Sequence, residues 1–328
     1  MWRKQKWIDS ECGILILLLV VEDDKLSLQV KGDLPRTRVL VLGEVLWDVF
    51  PDSTRLGGAP LNFAAHTQRM GHQPSLISAV GEDDLGHRAL QTIQTLGLNT
   101  DLLQRTCRFP TGTARVHLGP TGQTTFSIPR PSAYDAVNLS GEQIERIQEW
   151  SPEWFYFGTL FPALPEGHAT LRRLLCAVPE AIRLYDLNLR PGFDSQPLVS
   201  ELLEAAQVVK LNQEEMNAVG HFCGLPPETE AFCRVGSQRF QWEAVCVTMG
   251  ARGCAIFARG EYVEDAGYRV DVADTVGAGD AFAAAFLHGL TNKWCLAEIA
   301  RFSNRVGAIV ASRPGAIPDW TFAEAMQL

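Results

Sequence analysis

Hydrophobic and polar residues follow two patterns that alternate along this chain. Short, continuous apolar runs such as residues 39–42 are typical of strands buried on both faces of a parallel sheet. Stretches with helical spacing follow, for example residues 62–70, which end before Gly71. Further runs of the strand type lie at residues 74–80, 154–157, 182–185, 208–211 and 244–248. The alternation predicts an α/β fold in which helices cover a mostly parallel central sheet.

One stretch, residues 113–128, departs from this alternation. Two runs rich in β-forming residues flank the sequence Gly-Pro-Thr-Gly at residues 119–122, a pattern typical of a hairpin. A hairpin inserted into an α/β chain often forms a flap over the core. We therefore predict a small β lid built from about residues 45–56 and 111–130.

Composition and charge narrow the classes of protein that fit. The chain has 328 residues, of which 46% are hydrophobic and 20% charged, which is typical of a globular protein. The length allows either two domains or one large core with a small appendage. The formal net charge is −9 and no cluster of Lys and Arg occurs, which argues against a nucleic-acid partner. Local groups must therefore hold any anionic ligand.

The eight cysteines are scattered and none forms a C-x-x-C pair, which indicates reduced thiols in a cytoplasmic protein. A zinc site using Cys223, Cys233 and His221 would lack the close ligand pairs that such sites contain. The remaining histidines also lack metal-ligand spacing, so we expect packing or surface roles for them.

Residues 1–36 differ from the rest of the chain. Their apolar run, residues 13–21, is shorter than the roughly 20 residues that span a bilayer. Acidic residues flank the run and no small-residue cleavage pattern follows it, so neither a membrane partner nor a signal peptide is predicted. An extra strand, a poorly ordered extension and an upstream start codon all stay open as interpretations.

The segment most informative about chemistry is residues 274–286, DTVGAGDAFAAAF. Its Ala-rich second half predicts a buried helix. The small residues Gly277, Ala278 and Gly279 come directly before it, so backbone N–H groups at the positive helix end can bind an anion. Asp280 falls in the first helical turn, where an acidic residue often only caps the helix. Beside a phosphate site, however, a carboxylate is suited to take a proton from an attacking hydroxyl, and we predict that Asp280 is this base.

Two common nucleotide-binding motifs are missing from the sequence. No G-x-x-x-x-G-K-[ST] occurs, which excludes a P-loop enzyme. No G-x-G-x-x-G follows the first apolar run, which disfavours a dinucleotide-binding fold.

Two signatures together resemble one family. Residues 57–86 open with G-G-x-x-x-N and close with G-x-D-x-x-G, and DTVGAGDAFAAAF follows far downstream. Because it contains both signatures in this order, the chain from about residue 38 to 318 is similar to the ribokinase-like sugar kinases, also called pfkB carbohydrate kinases. The resemblance implies a ribokinase-like three-layer αβα domain over residues 37–328. It also implies transfer of the ATP γ-phosphate to a sugar hydroxyl, with Asp280 as base.

The same resemblance assigns residues to the sugar pocket. Asp48 and Asn62 would bind sugar hydroxyls, and Gly57 and Gly58 would let the backbone approach the sugar and hinge the lid. Taken alone, Asp48 would be a turn residue and Asn62 a helix cap.

For the nucleotide side, the resemblance implies four short ATP-binding motifs and a metal site. Asn212 and Glu215 would organise water around Mg²⁺, which usually keeps several waters. Asp274 lies where the family often binds a potassium-like ion, although family members differ in their need for K⁺. The implied ATP-binding residues are Asn188, Arg190, Lys210, Thr248, Gly250, Gly253 and Asn304.

Details of the motifs resemble fructokinases most, so D-fructose is the predicted substrate. They are G-E-x-L-x-D at residues 43–48, G-G-A-P-x-N at residues 57–62 and D-x-N-x-R at residues 186–190. Ribose, 2-keto-3-deoxygluconate or a sugar phosphate are alternatives. A nucleoside kinase would need a base-stacking pocket, which Trp47 and Phe126 could form. A non-catalytic sugar-binding regulator would be expected to have lost Asp280.

The hairpin predicted at residues 113–128 carries apolar residues on an exposed lid, which favours a homodimer formed through the lid. Those residues are Val116, Leu118 and Phe126.

Overall fold

The structure is a computed structural model that describes residues 17–22, 25–30, 36–50, 52–118 and 124–327. The described strands are β1 (Leu17–Glu22), β2 (Lys25–Val30), β3 (Arg38–Leu42), β4 (Leu46–Val49), β5 (Thr54–Gly57), β6 (Gln73–Gly81), β7 (Leu103–Thr106), β8 (Gly112–Leu118), β9 (Thr124–Ser127), β10 (Trp154–Gly158), β11 (Ile182–Asp186), β12 (Val208–Asn212), β13 (Ala244–Thr248), β14 (Cys254–Ala258) and β15 (Glu261–Asp265).

The described α-helices are α1 (Ala59–Arg69), α2 (Asp84–Thr95), α3 (Gly141–Trp150), α4 (Pro165–Ala177), α5 (Gln196–Ala205), α6 (Gln213–Cys223), α7 (Thr229–Phe240), α8 (Ala278–Thr291), α9 (Leu296–Ala311) and α10 (Phe322–Gln327). Short 3₁₀ turns occupy Ala133–Ala136, Phe161–Ala163 and Gly250–Arg252. In the part of the chain that the structure describes, no helix has the length and apolar character needed to cross a membrane.

Nine strands form the central sheet, in the order β15-β14-β13-β12-β11-β10-β3-β6-β7. The pairs from β13 to β7 are parallel, whereas β14 and β15 join in antiparallel fashion. The carboxyl ends of the parallel strands therefore meet at one edge of the sheet, where ligands bind in open α/β folds.

Alternating side chains of the buried strands enter two separate hydrophobic cores. Val39 and Val41 of β3 pack on one face with α1, α2, α8, α9 and α10. Leu40 and Leu42 pack on the other face with α3 to α7. Each such fully buried side chain contributes about 1.5–3 kcal/mol relative to an exposed one. The three-layer αβα architecture predicted from the sequence is confirmed.

A second, four-stranded sheet has the order β5-β4-β8-β9 and forms the small lid. Strands β4 and β5 pair in antiparallel register, which places Asp48 directly opposite Arg55. Strand β4 is parallel to β8, and β8 pairs with β9 in a hairpin. The predicted turn at 119–122, and the side chains of Val116, Leu118 and Phe126, lie outside the described residues, so the lid-to-lid dimer stays a prediction.

Strands β1 and β2 form a separate two-stranded antiparallel sheet within the N-terminal extension. Leu17 pairs with Val30 and Glu22 with Lys25. These strands do not join the central sheet, which begins with β3.

Candidate active site

The candidate active site lies where β11 and β12 end and helix α8 begins. Lys210 of β12 and Asp186, the last residue of β11, form a buried ion pair there. A Cβ added to Gly279 of α8 would lie 3.3 Å from Lys210 Nζ, so the first turn of α8 passes directly over this lysine. The sheet edge and the start of α8 thus meet at one point.

The turn into α8 requires glycine at position 277. Gly277 has φ 80°, and an added Cβ would lie 2.5 Å from the carbonyl oxygen of Ala316. The amide of Ala278 donates to the Thr275 carbonyl, 3.3 Å away. The next first-turn amides, of Gly279 and Asp280, have no acceptor within the helix by its geometry. With Lys210 beside them, these amides form a positive cradle that suits a phosphate.

Asp280 stands beside this cradle and is held by Asn62 of α1. Asn62 Nδ2 donates to Asp280 Oδ2 over 2.8 Å. Burial, and after it the charge of Asp186, raise the pKa of Asp280 to about 6 against the opposing effect of Lys210. A carboxylate with a pKa near the working pH is effective as a general base.

The carbonyl oxygen of the Asn62 side chain, Oδ1, is a hydrogen-bond acceptor without a donor among the described residues. Asn62 is 3% exposed, and no described residue donates a hydrogen bond to its Oδ1. Buried polar atoms are rarely left without a partner, and those that are often mark ligand sites. A sugar hydroxyl next to Asp280 would satisfy this atom.

Lys210 and Asp186 form the charged floor of the site. Lys210 Nζ lies 2.9 and 3.2 Å from the two carboxylate oxygens of Asp186, and Tyr156 donates its hydroxyl to Asp186 over 3.3 Å. Burial alone would lower the pKa of Lys210, but Asp186 and Glu215 outweigh it and raise the pKa. Sequence reasoning assigned no role to Asp186, although it opens the D-x-N-x-R motif at the end of a predicted strand.

Three of the predicted sugar residues, Asp48, Gly57 and Gly58, lie close together where the lid strands lead into α1. Asp48 lies on β4, and a Cβ on Gly57 would lie 2.8 Å from Asp48 Oδ2. Gly58 has φ 110°, and an added Cβ would collide with the Glu44 carbonyl. Only glycine therefore lets the chain pass from β5 into α1 so close to Glu44 and Asp48.

Glu44 is a residue of this site that sequence reasoning left without a role. It is buried, and burial raises its pKa to about 7. Burial likewise raises the pKa of Asp48 to about 6. The positive charge of Arg190 lowers the pKa of Glu44, Asp48 and Asp280 and so partly offsets the effect of burial. The signal for Glu44 was its place in the G-E-x-L-x-D opening.

Asn212 and Glu215 form a capping box at the start of α6. Asn212 Oδ1 accepts from the Glu215 amide over 2.9 Å, and Glu215 Oε2 accepts from the Asn212 amide over 2.8 Å. Glu215 Oε1 also accepts from the Leu189 amide over 2.8 Å, which ties the D-x-N-x-R loop to α6. Each carboxylate oxygen retains a lone pair, so these oxygen donors still fit a contact to the water shell of Mg²⁺.

The remaining predicted nucleotide residues surround the ends of β13 and β15. Gly253 has φ 88°, and an added Cβ would collide with the Asp265 carbonyl. Asn304 donates from Nδ2 to Asp265 Oδ1 over 2.8 Å. Thr248 ends β13, and its hydroxyl lies 3.5 Å from the Leu211 carbonyl, while Gly250 begins the 3₁₀ turn. Asn188, in the D-x-N-x-R loop, adopts φ 45°.

Asp274 is surrounded by hydrogen-bond donors. Its Oδ1 accepts from the Val276 amide over 3.0 Å, and its Oδ2 accepts from the Gly315 amide over 3.2 Å. Arg55 of the lid places Nη1 2.5 Å from the same Oδ2. A guanidinium and two amides do not fit a monovalent cation as a further neighbour, because a cation needs acceptors and repels Arg55.

Trp47 has a packing role and does not face the predicted sugar pocket. Its side chain is 4% exposed, and its Nε1 donates to the Leu85 carbonyl over 3.0 Å. The Arg88 guanidinium lies 4.6 Å from the centre of the Trp47 ring. This arrangement removes Trp47 from the base-stacking pocket that a nucleoside kinase would need, and the side chain of Phe126 lies outside the described residues.

No group of three or more His, Cys, Asp or Glu side chains that could hold a metal occurs within the described ranges. Cys223 and Cys233, considered above for zinc, are both buried and free. Magnesium is commonly held by one or two carboxylates together with substrate phosphates, so the site chemistry depends on the nucleotide as well as the protein.

Comparison with known proteins places these features in one family. The sequence model of the pfkB family carbohydrate kinases matches residues 37–322. The Escherichia coli fructokinase is 28% identical over 299 residues, which cover 85% of this chain and 95% of that protein. A Solanum tuberosum fructokinase is 27% identical over 282 residues, covering 83% and 85%.

Solved structures share the fold at lower identity. A fructokinase from Xylella fastidiosa with bound ATP superposes with a TM-score of 0.75 at 24% identity, covering 89% of this chain and 97% of that one. The 2-dehydro-3-deoxygluconokinase of Thermotoga maritima gives 0.77 at 20% identity, covering 89% and 98%. At these identities the similarity establishes the fold.

Proposed function

The chain belongs to the pfkB family of carbohydrate kinases, and we propose that it transfers the γ-phosphate of ATP to D-fructose, forming fructose 6-phosphate. As a family member it is a phosphotransferase that acts on a sugar hydroxyl. The observation that carries the proposal is the hydrogen bond between Asn62 and Asp280 beside the first turn of α8. It brings the two signatures of the sequence together at one cradle for phosphate.

In this proposal Asp280 takes the proton from the fructose 6-hydroxyl as the oxygen attacks the γ-phosphorus. The O–H bond breaks, a new O–P bond forms, and the bond from the γ-phosphorus to the β,γ-bridging oxygen breaks to release ADP. The amides of Gly279 and Asp280 and the ammonium of Lys210 face the charge that develops on the transferring group. The lid of β4, β5, β8 and β9 keeps water from competing as acceptor.

The nucleotide residues predicted from the sequence keep this role in the proposal. ATP would lie over the ends of β12, β13 and β15, with Thr248, Gly250, Gly253 and Asn304 along its path. Asn188 and Arg190 would approach from the D-x-N-x-R loop. Mg²⁺, when bound with the phosphates, would supply charge neutralisation, and Asn212 and Glu215 are placed to contact its water shell.

Charge on the sugar side supports a neutral polyol as substrate. Glu44, Asp48 and Asp280 face this side, and Arg190 is the cation that influences all three. An acid sugar or a sugar phosphate would bring further negative charge beside these carboxyl groups. The two relatives described above are both fructokinases, which favours fructose among neutral sugars.

The proposal is tested by coupled ADP release with Mg²⁺-ATP against fructose, ribose, 2-keto-3-deoxygluconate, fructose 6-phosphate and a nucleoside. We expect turnover with fructose that is lost in Asp280→Asn. The matched control is Glu142→Gln, which neutralises another acidic residue in a first helical turn, far from Asp280 in sequence and exposed. Turnover on another sugar but not on fructose would support the proposed mechanism and rule out fructose as the substrate. Full activity of Asp280→Asn would rule out Asp280 as the general base.

Two further predictions remain proposals. Strands β5 and β9 are the edges of the lid sheet, and such edges favour pairing with a second copy. Light scattering after size exclusion should then show a dimer at micromolar concentration, and a monomer would contradict it. A cytoplasmic location is supported by the buried cysteines Cys223, Cys233, Cys246 and Cys254, which are free thiols.

A further inference from the structure

Arg55 joins the lid to the loop that leads into α8. It lies on β5, directly opposite Asp48 of β4. Its guanidinium packs 5.4 Å from the ring centre of Phe50 and places Nη1 2.5 Å from Asp274 Oδ2. The two partners are 219 residues apart in sequence, and Asp274 is three residues before Gly277. One side chain thus connects the lid to the turn that shapes the phosphate cradle.

The surroundings of Asp274 show that Arg55 contributes positive charge to this loop. Both carboxylate oxygens accept a backbone amide, from Val276 and from Gly315. Asp48 lies near enough that Asp274 raises its pKa while Arg55 lowers it. Arg55 therefore pairs directly with the carboxylate in the loop before α8 and also acts, more weakly than Arg190, on the carboxylate of Asp48 in the lid.

We propose that Arg55 is a positioning residue that takes the place of a monovalent cation at Asp274, so that the loop before the phosphate cradle receives its positive charge from the lid. The proposal deepens the function proposed above and rests on it for its kinetic readout. It is an alternative to the prediction, drawn from the family resemblance, that Asp274 binds a potassium-like ion.

Two consequences follow from a counter-charge that belongs to the lid. Catalysis should not depend on K⁺, because the guanidinium already neutralises Asp274. The loop of Asp274 to Gly277 should also be held in place only while β5 lies against it, which couples lid closure to the shape of the cradle. Removing the Arg55 side chain should uncover Asp274 Oδ2 and make room there for a cation.

The kinetic test compares chloride salts of K⁺, Na⁺ and tetramethylammonium at equal ionic strength. Wild-type kcat/KM for the sugar should vary by no more than about twofold among them. Arg55→Ala should lose about tenfold in tetramethylammonium and recover part of the loss in K⁺ or on addition of guanidinium chloride. Arg55→Lys should retain more activity than Arg55→Ala. Arg115→Ala removes an exposed arginine from lid strand β8 and should match the wild type.

Thermal unfolding in the same salts provides a readout that needs no substrate. Arg55→Ala should gain about 1–2 °C in Tm in K⁺ over tetramethylammonium, because a ligand that binds the folded state stabilises it. Wild type should show no such difference. This measurement separates the two proposals, because it stands even if none of the sugars is turned over.

Three results would overturn the proposal. The first is strong stimulation of wild-type turnover by K⁺, or a K⁺-dependent rise in its Tm. The second is an Arg55→Ala variant with wild-type activity in all three salts. The third is an Arg55→Ala variant that loses activity yet shows no response to K⁺ or guanidinium in either measurement, since Arg55 would then serve the lid only as packing.

Discussion

Helices α6 and α8 both begin at the same edge of the central sheet, and both carry an acidic residue in the first turn. Glu215 of α6 receives backbone amides on both carboxylate oxygens, from Asn212 and Leu189. Asp280 of α8 receives a side-chain amide from Asn62 and lies beside the Lys210–Asp186 pair. Glu215 thus holds backbone amides with both carboxylate oxygens and keeps only the second lone pair of each for the water shell of Mg²⁺, whereas Asp280 accepts a side-chain hydrogen bond beside the phosphate cradle.

The contrast shows that position in a helix does not decide what a carboxylate does. Burial raises the pKa of both groups, with Lys210 lowering each. What differs is the preceding chain: an asparagine that returns a hydrogen bond in α6, and a glycine turn with φ 80° in α8. The turn at Gly277 leaves the amides of α8 facing outward, and Asp280 next to them.

The largest effect should come from neutralising the two acids in turn. Asp280→Asn should lower kcat by about 10²–10⁴, the usual contribution of a general base, whereas Glu215→Gln should lower it far less. Steady-state ADP release measures both. Because the folded pKa of Asp280 is raised to about 6, its charge costs stability above that pH, so Asp280→Asn should not lower Tm at pH 8. Equal losses of kcat in the two variants would contradict the assignment of Asp280, and not Glu215, as the general base.

The second effect concerns the glycine turn before α8. Gly277→Ala should lower kcat/KM by about 10²–10³, because the added Cβ meets the Ala316 backbone and displaces the amides that bind phosphate. The matched control is Gly71→Ala, which has a similar φ of 89° but no atom within 4 Å of the added Cβ. Both should lose stability from backbone strain; a Gly277→Ala variant as active as Gly71→Ala would rule out the cradle.

The third effect is on stability and concerns α6. Glu215→Ala removes the acceptor of two partly buried hydrogen bonds, from the amides of Leu189 and Asn212, which should cost about 1–3 kcal/mol in the free energy of unfolding. Urea unfolding followed by circular dichroism measures it. Glu166→Ala, an exposed acidic residue in the first turn of α4, is the control and should change stability little. A Glu215→Ala variant as stable as the control would show that these hydrogen bonds do not contribute to the free energy of unfolding.

The smallest effect is on pH dependence. A base must be deprotonated to act, so kcat/KM should rise with pH through about 6 and level off above it. Asn62→Leu should move this limb to higher pH by up to about one unit, because the Asn62 hydrogen bond lowers the pKa of Asp280. Gln68→Leu removes another α1 amide, bonded to the Leu96 carbonyl, and should leave the limb in place. If the rise in kcat/KM moved to lower pH in Asn62→Leu, the assignment of Asp280 as the titrating base would be contradicted.

Much of the fold was predictable because its signal is local. The run at residues 39–42 is apolar on both faces since Val39 and Val41 enter one core and Leu40 and Leu42 the other. The hairpin of β8 and β9 was likewise marked by its turn residues. The pairing of Asp48 with Arg55 was not predictable, because register depends on the whole lid sheet.

The residues of the candidate site also divide into those that local sequence predicts and those that it does not. The sequence by itself determined Asp280 and the small residues before it, because a helix start and its amides are set by neighbours along the chain. It did not show that Trp47 packs under Arg88, or that Glu44 and Asp186 are buried close enough to Asp280 to interact with its charge. Those facts depend on which side chains the fold buries together.

Only the tertiary structure decided which groups three of the predicted residues contact. Asn62 and Asp280 lie 218 residues apart, in different signatures, and meet in one hydrogen bond. Asp274, predicted to hold a cation, instead contacts a guanidinium from the lid. Local sequence sets backbone turns and helix ends, whereas the partner of a charged side chain is set by long-range packing, since charge acts through space and not along the chain.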